Sequence, residues 1–265
     1  MSLTVTILGC GSSAGVPRVG AGWGACDPAN PKNRRRRCSI LVERQGGEGS
    51  TSVLVDTGPD VREQLLSADV RHLDAVLYTH EHADHTHGID DLRALVIHMR
   101  RRLDVYADAH TLNLLRERFS YCFETPPGSS YPPILSGRVL DVGHPLAIEG
   151  AGGAISALPV RVGHGDIDAL GYRFGDLAYI CDLNHVPPAS LDLLRNLDCL
   201  IVDALREMPH PSHYSLSEAL ELIAELRPRR AVLTDLHNDL DYEQLRRQLP
   251  EGIEPAYDGM VITTA

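Results

Sequence analysis

Four side chains that can bind a metal ion lie within six consecutive residues, 80–85. They are His80, His82, Asp84 and His85. They follow a short apolar run, residues 75–79, whose composition is typical of a buried β-strand. If the chain stays extended beyond Thr79, the first two imidazoles point the same way, because strand side chains repeat every second residue. This set of imidazoles and a carboxylate fits two adjacent divalent ions with a shared hydroxide better than one ion.

The second half of the chain repeats the pattern of an apolar run followed by metal-binding side chains. Runs 157–163 and 177–181 lead to His164 and Asp182, run 200–203 leads to a loop holding His210 and His213, and run 231–234 leads to Asp235 and His237. An α/β sandwich gathers ligands in this way along one edge of its sheets. We therefore predict an α/β fold that brings these side chains to residues 80–85.

The size and composition of the chain are those of one α/β domain. The 265 residues are 43% hydrophobic, so residues 1–265 are expected to form a single domain. The sequence has no run of about 18 apolar residues, which argues against a membrane span. Residues 1–6 lack the basic and apolar regions of a signal peptide, and we expect a cytoplasmic protein.

The charge and the cysteines of the chain limit its partners. A formal net charge of -11 would repel a long polyanion, so no long nucleic acid is expected, whereas a small anionic substrate held by metal ions is compatible. The six cysteines are scattered without a Cys-X-X-Cys pair, which predicts neither a disulfide framework nor a zinc knuckle. Association as a homodimer is left open.

The remaining segments predict the elements that position these residues. Residues 4–8 read as the opening strand, 38–42 and 52–56 as a hairpin joined by the 46–49 turn, and 257–262 as the region of the last strand. Helices are predicted after residue 88, over 108–119 with Asp108 as its cap, and from the capping box Ser215-Leu216-Ser217-Glu218 to before Pro228. Residues 124–133 show no core periodicity and are predicted to be a surface excursion.

Two loops offer candidate substrate contacts. The glycine-rich loop 9–18 can wrap an anion or serve as a plain tight connection, and its candidates for touching a ligand are Ser12, Ser13 and Arg18. The basic run 34–37 is either a solvated face or a source of an arginine that reaches a substrate phosphate, with Arg37 as the candidate.

Residues 79–85, Thr-His-Glu-His-Ala-Asp-His, resemble the His-X-His-X-Asp-His signature of the metallo-β-lactamase superfamily. The resemblance implies a four-layer αβ/βα sandwich with mixed sheets and a hydrolase that binds two divalent ions. Zinc, manganese and iron all suit imidazole and carboxylate ligands. The substrate is not implied, because this scaffold carries hydrolases of many kinds.

The superfamily pattern also implies a role for each ligand. His80, His82 and His164 would hold the first ion, and Asp84, His85 and His237 would hold the second, with Asp182 bridging both. Many relatives place a histidine directly after Leu-Thr, where this chain has Asp235, so either Asp235 or His237 could complete the second site; we favour His237. Asp56, which ends an earlier strand, would support the site from behind.

The predicted catalytic residues are His213, Asp84 and Asp182. His213 precedes a helix and lies outside the implied ligand set. We predict that it acts as a general acid or as a hydrogen-bond donor to phosphate, since imidazole titrates near neutral pH.

Several further segments resemble the phosphoribosyl cyclic phosphate phosphodiesterases of the carbon-phosphorus lyase pathway. They are Gly9-Cys10-Gly11, Gly15-Val16-Pro17, His213 and Tyr257-Asp258-Gly259-Met260. The resemblance implies a phosphodiesterase that acts on a small cyclic phosphate or a nucleotide-like diester through a metal-bridging hydroxide. Those enzymes also carry a cysteine-rich loop that binds a structural zinc. Here residues 23–26 supply only Cys26, so no separate structural zinc is expected.

Two other functions share the same metal ligands. One is hydrolysis of another ester class, a thioester, lactone or β-lactam, and the other is a non-catalytic nucleotide or metal sensor. Bis-p-nitrophenyl phosphate assayed beside a thioester separates the two enzymes. Replacing His213 separates an enzyme from a sensor, because only the enzyme should lose its function.

Overall fold

The computed structural model describes residues 2–264, which form two seven-stranded sheets and eight α-helices. The first sheet contains β1 (Thr4–Gly9), β2 (Ser39–Gly46), β3 (Gly49–Val55), β4 (Ala75–Leu77), β5 (Leu103–Ala107), β6 (Leu135–Val139) and β14 (Val261–Thr263). The second contains β7 (Leu146–Ile148), β8 (Ile155–His164), β9 (Ile167–Phe174), β10 (Leu177–Ile180), β11 (Cys199–Asp203), β12 (Arg230–Thr234) and β13 (Ile253–Pro255).

The helices are short and lie between the strands along the chain. They are α1 (Val61–Ser67), α2 (Ala83–Thr86), α3 (Arg93–Met99), α4 (Ala109–Arg118), α5 (Ser120–Phe123), α6 (Pro188–Leu193), α7 (Leu216–Leu226) and α8 (Tyr242–Gln248). Short 3-10 turns occur at Pro31–Asn33 and Ile89–Leu92. No helix in residues 2–264 has the length and apolar character needed to cross a membrane.

The two sheets share one pattern of strand directions. The first sheet has the order β14-β1-β2-β3-β4-β5-β6, in which pairs up to β2-β3 are antiparallel and pairs from β3-β4 are parallel. The second has the order β7-β8-β9-β10-β11-β12-β13, in which pairs up to β9-β10 are antiparallel and later pairs are parallel. Both sheets are therefore mixed, as predicted.

Three apolar cores separate four layers. Side chains such as Ile40, Phe174 and Ile201 fill the space between the two sheets. The outer face of the first sheet packs against α1, α3 and α4, and the outer face of the second packs against α6, α7 and α8. Alternating strand side chains serve both faces, and each fully buried aliphatic side chain contributes about 1.5–3 kcal/mol. The predicted four-layer αβ/βα sandwich is confirmed.

Local signals set several element ends where the sequence predicts them. The Asp108 side chain accepts a hydrogen bond from the backbone N–H of Thr111, which caps α4. Ser215 and Glu218 form the predicted capping box at the start of α7. Strands β2 and β3 pair as the predicted hairpin, closing at Gly46 and Gly49.

The end of the chain differs from the sequence-based expectation. The last strand begins only at Val261, and residues 257–259 form a turn. The turn is held by Asp258, whose carboxylate accepts hydrogen bonds from the backbone N–H groups of Cys10 and Arg36. These hydrogen bonds of Asp258 explain why residues 257–259, which resemble a strand in sequence, are not part of the sheet.

Candidate metal centre

Side chains that can bind metal leave the sheets at one common edge. Parallel strands carry their carboxyl ends at the same edge. Strand β8 is antiparallel to β9, and β9 is antiparallel to β10, so β8 runs in the same direction as β10. The side chains at or just beyond these strand ends are Asp56 after β3, His80 after β4, His164 on β8, Asp182 after β10, Asp203 on β11 and Asp235 after β12.

Three imidazoles form the first group. The Nδ1 atom of His82 lies 3.0 Å from His80 Nε2 and 3.2 Å from His164 Nε2. The Nδ1 atom of His164 lies 2.7 Å from the Ser212 carbonyl oxygen. A carbonyl can only accept, so this nitrogen donates, and Nε2 keeps its lone pair towards the other rings. Burial lowers the pKa of His80 and of His164, which favours the neutral, metal-binding form of both rings.

Asp182 lies between this group and a second group, which consists of Asp84 and His85. Its Oδ1 is 3.3 Å from His85 Nε2, and its Oδ2 is 3.6 Å from His164 Nε2 and 3.9 Å from His80 Nε2. The Oδ2 atom of Asp84 also lies 3.4 Å from His85 Nε2. Burial alone would raise the pKa of Asp182, but His85 and the other imidazoles outweigh burial and lower it.

The donor set fits divalent metal ions. The Oδ1 atom of Asp182 is buried and forms no hydrogen bond with any described residue. A buried carboxylate oxygen without a donor is costly, and a cation would satisfy it. Several sets of three side chains have ligand atoms close enough together to hold one metal ion. These sets include His80, His82 and His164, and also His80, His85 and Asp182. Imidazole nitrogens beside carboxylate oxygens are the ligands of zinc and similar ions.

Asp56 holds the second group from behind. Its carboxylate accepts hydrogen bonds from the N–H and Oγ1 of Thr79, each 2.8 Å long, and lies 2.8 Å from His85 Nδ1. The His85 ring is thereby fixed with Nε2 towards Asp84 and Asp182. Gly58 makes this arrangement possible, because a Cβ at this position would lie 2.0 Å from the Asp84 carbonyl oxygen.

His213 approaches the same centre from the second sheet. Its Nδ1 lies 2.9 Å from Asp203 Oδ2 and 3.2 Å from Asp235 Oδ2, and its Nε2 lies 3.8 Å from Asp182 Oδ2. Burial lowers the pKa of His213, but the two carboxylates facing Nδ1 outweigh burial and raise it to about 12. Asp203 was not among the predicted site residues, although β11 ends on it just as β10 ends shortly before Asp182.

Asp235 and His237 differ in their surroundings. Asp235 belongs to a group of adjacent ligand atoms with Asp203 and His213, and burial and the charge of Asp182 raise its pKa to about 7. His237 belongs to none of the groups found among the described residues. Its Nε2 contacts the guanidinium of Arg18, and its Nδ1 lies 3.0 Å from Asp239 Oδ2. Among the described residues, neither side chain is grouped with Asp84 or His85, so which of the two completes the second site stays a prediction.

The candidate substrate residues lie on two loops. Ser12 is buried, Ser13 is exposed, and Arg18 contacts His237. The Nε atom of Arg37 lies 3.1 Å from Asp60 Oδ2. Their roles as substrate contacts stay predictions.

The arginine run 34–37 is not one solvated face. Arg35 is buried, and its guanidinium donates to the carbonyl oxygens of His237, at 2.9 Å, and Leu240, at 2.7 Å. Arg36 forms an ion pair with Asp258 at 3.0 Å. These residues therefore connect the loop that contains the run to later segments of the chain.

Two curated relatives are similar to this chain in sequence. An octanoyltransferase of Porphyromonas gingivalis (strain ATCC BAA-308 / W83) is 35% identical over 259 residues, 96% of this chain and 50% of that protein. A ribonuclease Z of Bradyrhizobium sp. (strain ORS 278) is 30% identical over 152 residues, 54% of this chain and 46% of that protein. The chain thus spans about half the length of the curated relatives it matches.

Solved structures share the whole fold. A diphosphatase of the PhnP family superposes with a TM-score of 0.89 at 36% identity and covers 100% of this chain and 98% of its own. Zinc-bound PqqB from Methylobacterium extorquens superposes with a TM-score of 0.75 at 18% identity and covers 98% of this chain and 99% of its own. Residues 51–235 match the sequence family described as "Beta-lactamase superfamily domain". With its two mixed sheets and its imidazole and carboxylate groups at one edge, the chain belongs to this superfamily of metal-dependent hydrolases.

Proposed function

We propose that this protein is a dinuclear metal-dependent phosphodiesterase that acts on a small cyclic phosphate or a nucleotide-like diester. The observation that carries the proposal is the position of Asp182, which faces both imidazole groups and the Nε2 of His213. The similarity to proteins named as a diphosphatase and a ribonuclease Z supports phosphate-ester chemistry.

The ligand roles follow from which atoms face one another. His80, His82 and His164 would hold one ion, and Asp84 and His85 would hold the other, with Asp182 shared between them. We add Asp235 to the second site, because burial and the charges of Asp182 and Asp84 raise its pKa, so a nearby cation would stabilise its charged form. Bound divalent ions would supply a water of lowered pKa and polarise a phosphoryl oxygen. Zinc and manganese both suit this set.

His213 supplies the proton that a departing alkoxide needs. Its Nδ1 is held by Asp203, which leaves Nε2 directed towards Asp182 and the centre. The carboxyl groups of Asp203 and Asp235 beside Nδ1 raise the pKa of His213, which favours the protonated ring. From this position Nε2 can donate to a phosphoryl oxygen or to the leaving group.

The net charge of the chain and the contacts of its arginines favour a small substrate over a long nucleic acid. The formal net charge is -11, and two arginines of the basic run, Arg35 and Arg36, are engaged in contacts within the chain. A long polyanion needs many free cationic side chains. We therefore propose a small anionic diester as the substrate.

Hydrolysis of bis-p-nitrophenyl phosphate by the manganese- or zinc-loaded protein tests the proposal. We expect metal-dependent turnover that falls by about 10²- to 10⁴-fold in His213→Asn, with unchanged metal content. His98→Asn, on the exposed surface of α3, is the matched control and should keep wild-type turnover. A sensor would show no turnover in the wild type, and equal rates in wild type and His213→Asn would remove His213 from the mechanism.

Thioester hydrolysis is the second candidate function. It is favoured by the similarity to a protein named octanoyltransferase, an acyl-group enzyme. We rank it second because the match covers 50% of that protein. An octanoyl thioester should be hydrolysed more slowly than bis-p-nitrophenyl phosphate, and the reverse order would replace the leading proposal with this one.

A further inference from the structure

A cavity of about 520 Å³ lies beside the metal centre. It is lined by Glu81, His82, Ala83, His87, Arg118 and Phe119. His82 belongs both to this lining and to the group of three imidazoles. A molecule in the cavity would therefore lie next to a metal ligand, and the volume is ordinary for a small-molecule subsite.

Glu81, one of the lining residues, carries an acceptor without a donor among the described residues. The residue is only 8% exposed, and its Oε2 is buried without a hydrogen bond to any described residue. The other oxygen, Oε1, lies 3.6 Å from His110 Nε2, which is beyond hydrogen-bond distance. A buried carboxylate without a donor is unfavourable, so an N–H group of a ligand would satisfy it.

The other lining residues offer ring faces and a cation. The rings of His87 and Phe119 meet edge to face, with centroids 5.5 Å apart. Arg118, at the end of α4, donates to the Glu81 carbonyl oxygen at 2.5 Å, which keeps its guanidinium beside the cavity. Aromatic and guanidinium planes stack on heteroaromatic rings, and every nucleobase has such a face.

We infer that this cavity is a subsite for a planar heteroaromatic ring bearing an amino group, such as a nucleobase, with Glu81 as the acceptor that selects it. The inference rests on the proposed phosphodiesterase activity and specifies the part of the substrate that lies beyond the phosphate. A buried carboxylate that accepts a hydrogen bond from a ligand N–H selects strongly for ligands that carry this group. A ligand without the N–H leaves the carboxylate oxygen unpaired.

The test compares two substrates that differ by one amino group. These are 2′,3′-cyclic AMP and the 2′,3′-cyclic phosphate of purine riboside, which lacks the 6-amino group. We expect the wild-type kcat/KM to favour the amino-bearing substrate by about tenfold or more, as for a hydrogen bond to a charged group. In Glu81→Met the preference should fall close to one, whereas the control Glu117→Met, exposed on α4, should keep it.

The outcomes separate this inference from the proposed function. Hydrolysis of bis-p-nitrophenyl phosphate with a wild-type preference near one would overturn the subsite, and so would an undiminished preference in Glu81→Met. Failure to hydrolyse any of the three diesters would instead overturn the phosphodiesterase. Metal content checks that the variant keeps its centre. If Glu81→Met does not fold, Glu81→Gln, a neutral acceptor of the same shape, should reduce the preference severalfold, and an unchanged preference would overturn the subsite.

Discussion

At the scale of single residues, the geometry of the site depends on which nitrogen of each histidine ring contacts a partner behind the ring. The Nδ1 atoms of His85, His164 and His213 face Asp56, the Ser212 carbonyl and Asp203 in turn. In each ring, the other nitrogen, Nε2, therefore points towards the centre. Partners behind the ligands therefore set their tautomer and orientation, as in metal sites generally.

The protonation of His213 is a testable property of the metal-free protein. Its pKa is raised to about 12 by carboxylates, so the ring should remain protonated from pH 7 to 9. The folded chain keeps a proton that the unfolded chain releases near pH 6.5. The protonated His213 ring therefore stabilises the folded state fully below pH 6.5, and this contribution to the free energy of unfolding is lost as the pH rises towards 12.

Nitrogen chemical shifts of the ring in NMR spectra measure this state. Asp203→Asn removes one of the two carboxylates and should lower the pKa of His213. A wild-type ring that titrates near 6.5 in the metal-free protein would contradict the assignment.

The choice between Asp235 and His237 can be made by metal analysis. Because the charges of Asp182 and Asp84 act on Asp235, whereas His237 contacts Arg18 and Asp239, Asp235→Asn should weaken binding of one ion by about tenfold or more. His237→Asn should retain the wild-type metal content. Plasma mass spectrometry after dialysis against a weak chelator gives both values, and the opposite pattern would restore His237 as the ligand.

At the scale of elements, the convergence of the candidate ligands could be predicted because these side chains follow strands directly. Residues 80–85, His164 and Asp182 all follow apolar runs that form β4, β8 and β10. The sequence did not assign a role to Asp203, since its contact with His213 depends on how β11 and the following loop pack. It left Asp235 and His237 as alternatives, with His237 favoured, because two residues after one strand can face opposite ways.

The arginine run was interpretable only in three dimensions. Nothing in four consecutive arginines distinguishes Arg35, which is 2% exposed, from its neighbours. Its guanidinium holds the carbonyls of His237 and Leu240, so it ties the loop before β2 to the segment after β12.

Replacing Arg35 should therefore destabilise the fold more than replacing its neighbour. Arg35→Met leaves two carbonyl oxygens without their donor and should lower the free energy of unfolding by about 2–4 kcal/mol. Arg34→Met, an exposed position, should change it by about 0.5 kcal/mol or less. Urea denaturation measures both variants, and equal losses would show that Arg35 does not act as a tie.

At the scale of the whole molecule, the candidate metal ligands come from both of its halves. Residues 80–85 follow the first sheet, whereas His164 and Asp182 come from the second. Ions bound between them would hold the sheets together at the edge where both sets of strands end. Metal binding should therefore be linked to folding.

Metal removal should lower thermal stability. An ion present at about 100 times its dissociation constant adds about 2.7 kcal/mol to the free energy of unfolding. Exhaustive dialysis against a chelator should therefore lower the Tm by several degrees, and zinc or manganese should restore it, whereas magnesium should restore less. A Tm that does not change would show that the ions do not span the two halves.

We propose that imidazoles and carboxylates from both halves of the molecule hold two divalent ions. Elemental analysis of the purified, metal-loaded protein counts these ions. We predict two ions per chain in the wild type and a loss of at least one in Asp182→Asn, because Asp182 faces both groups. One ion or none in the wild type, or two ions in Asp182→Asn, would contradict this proposal.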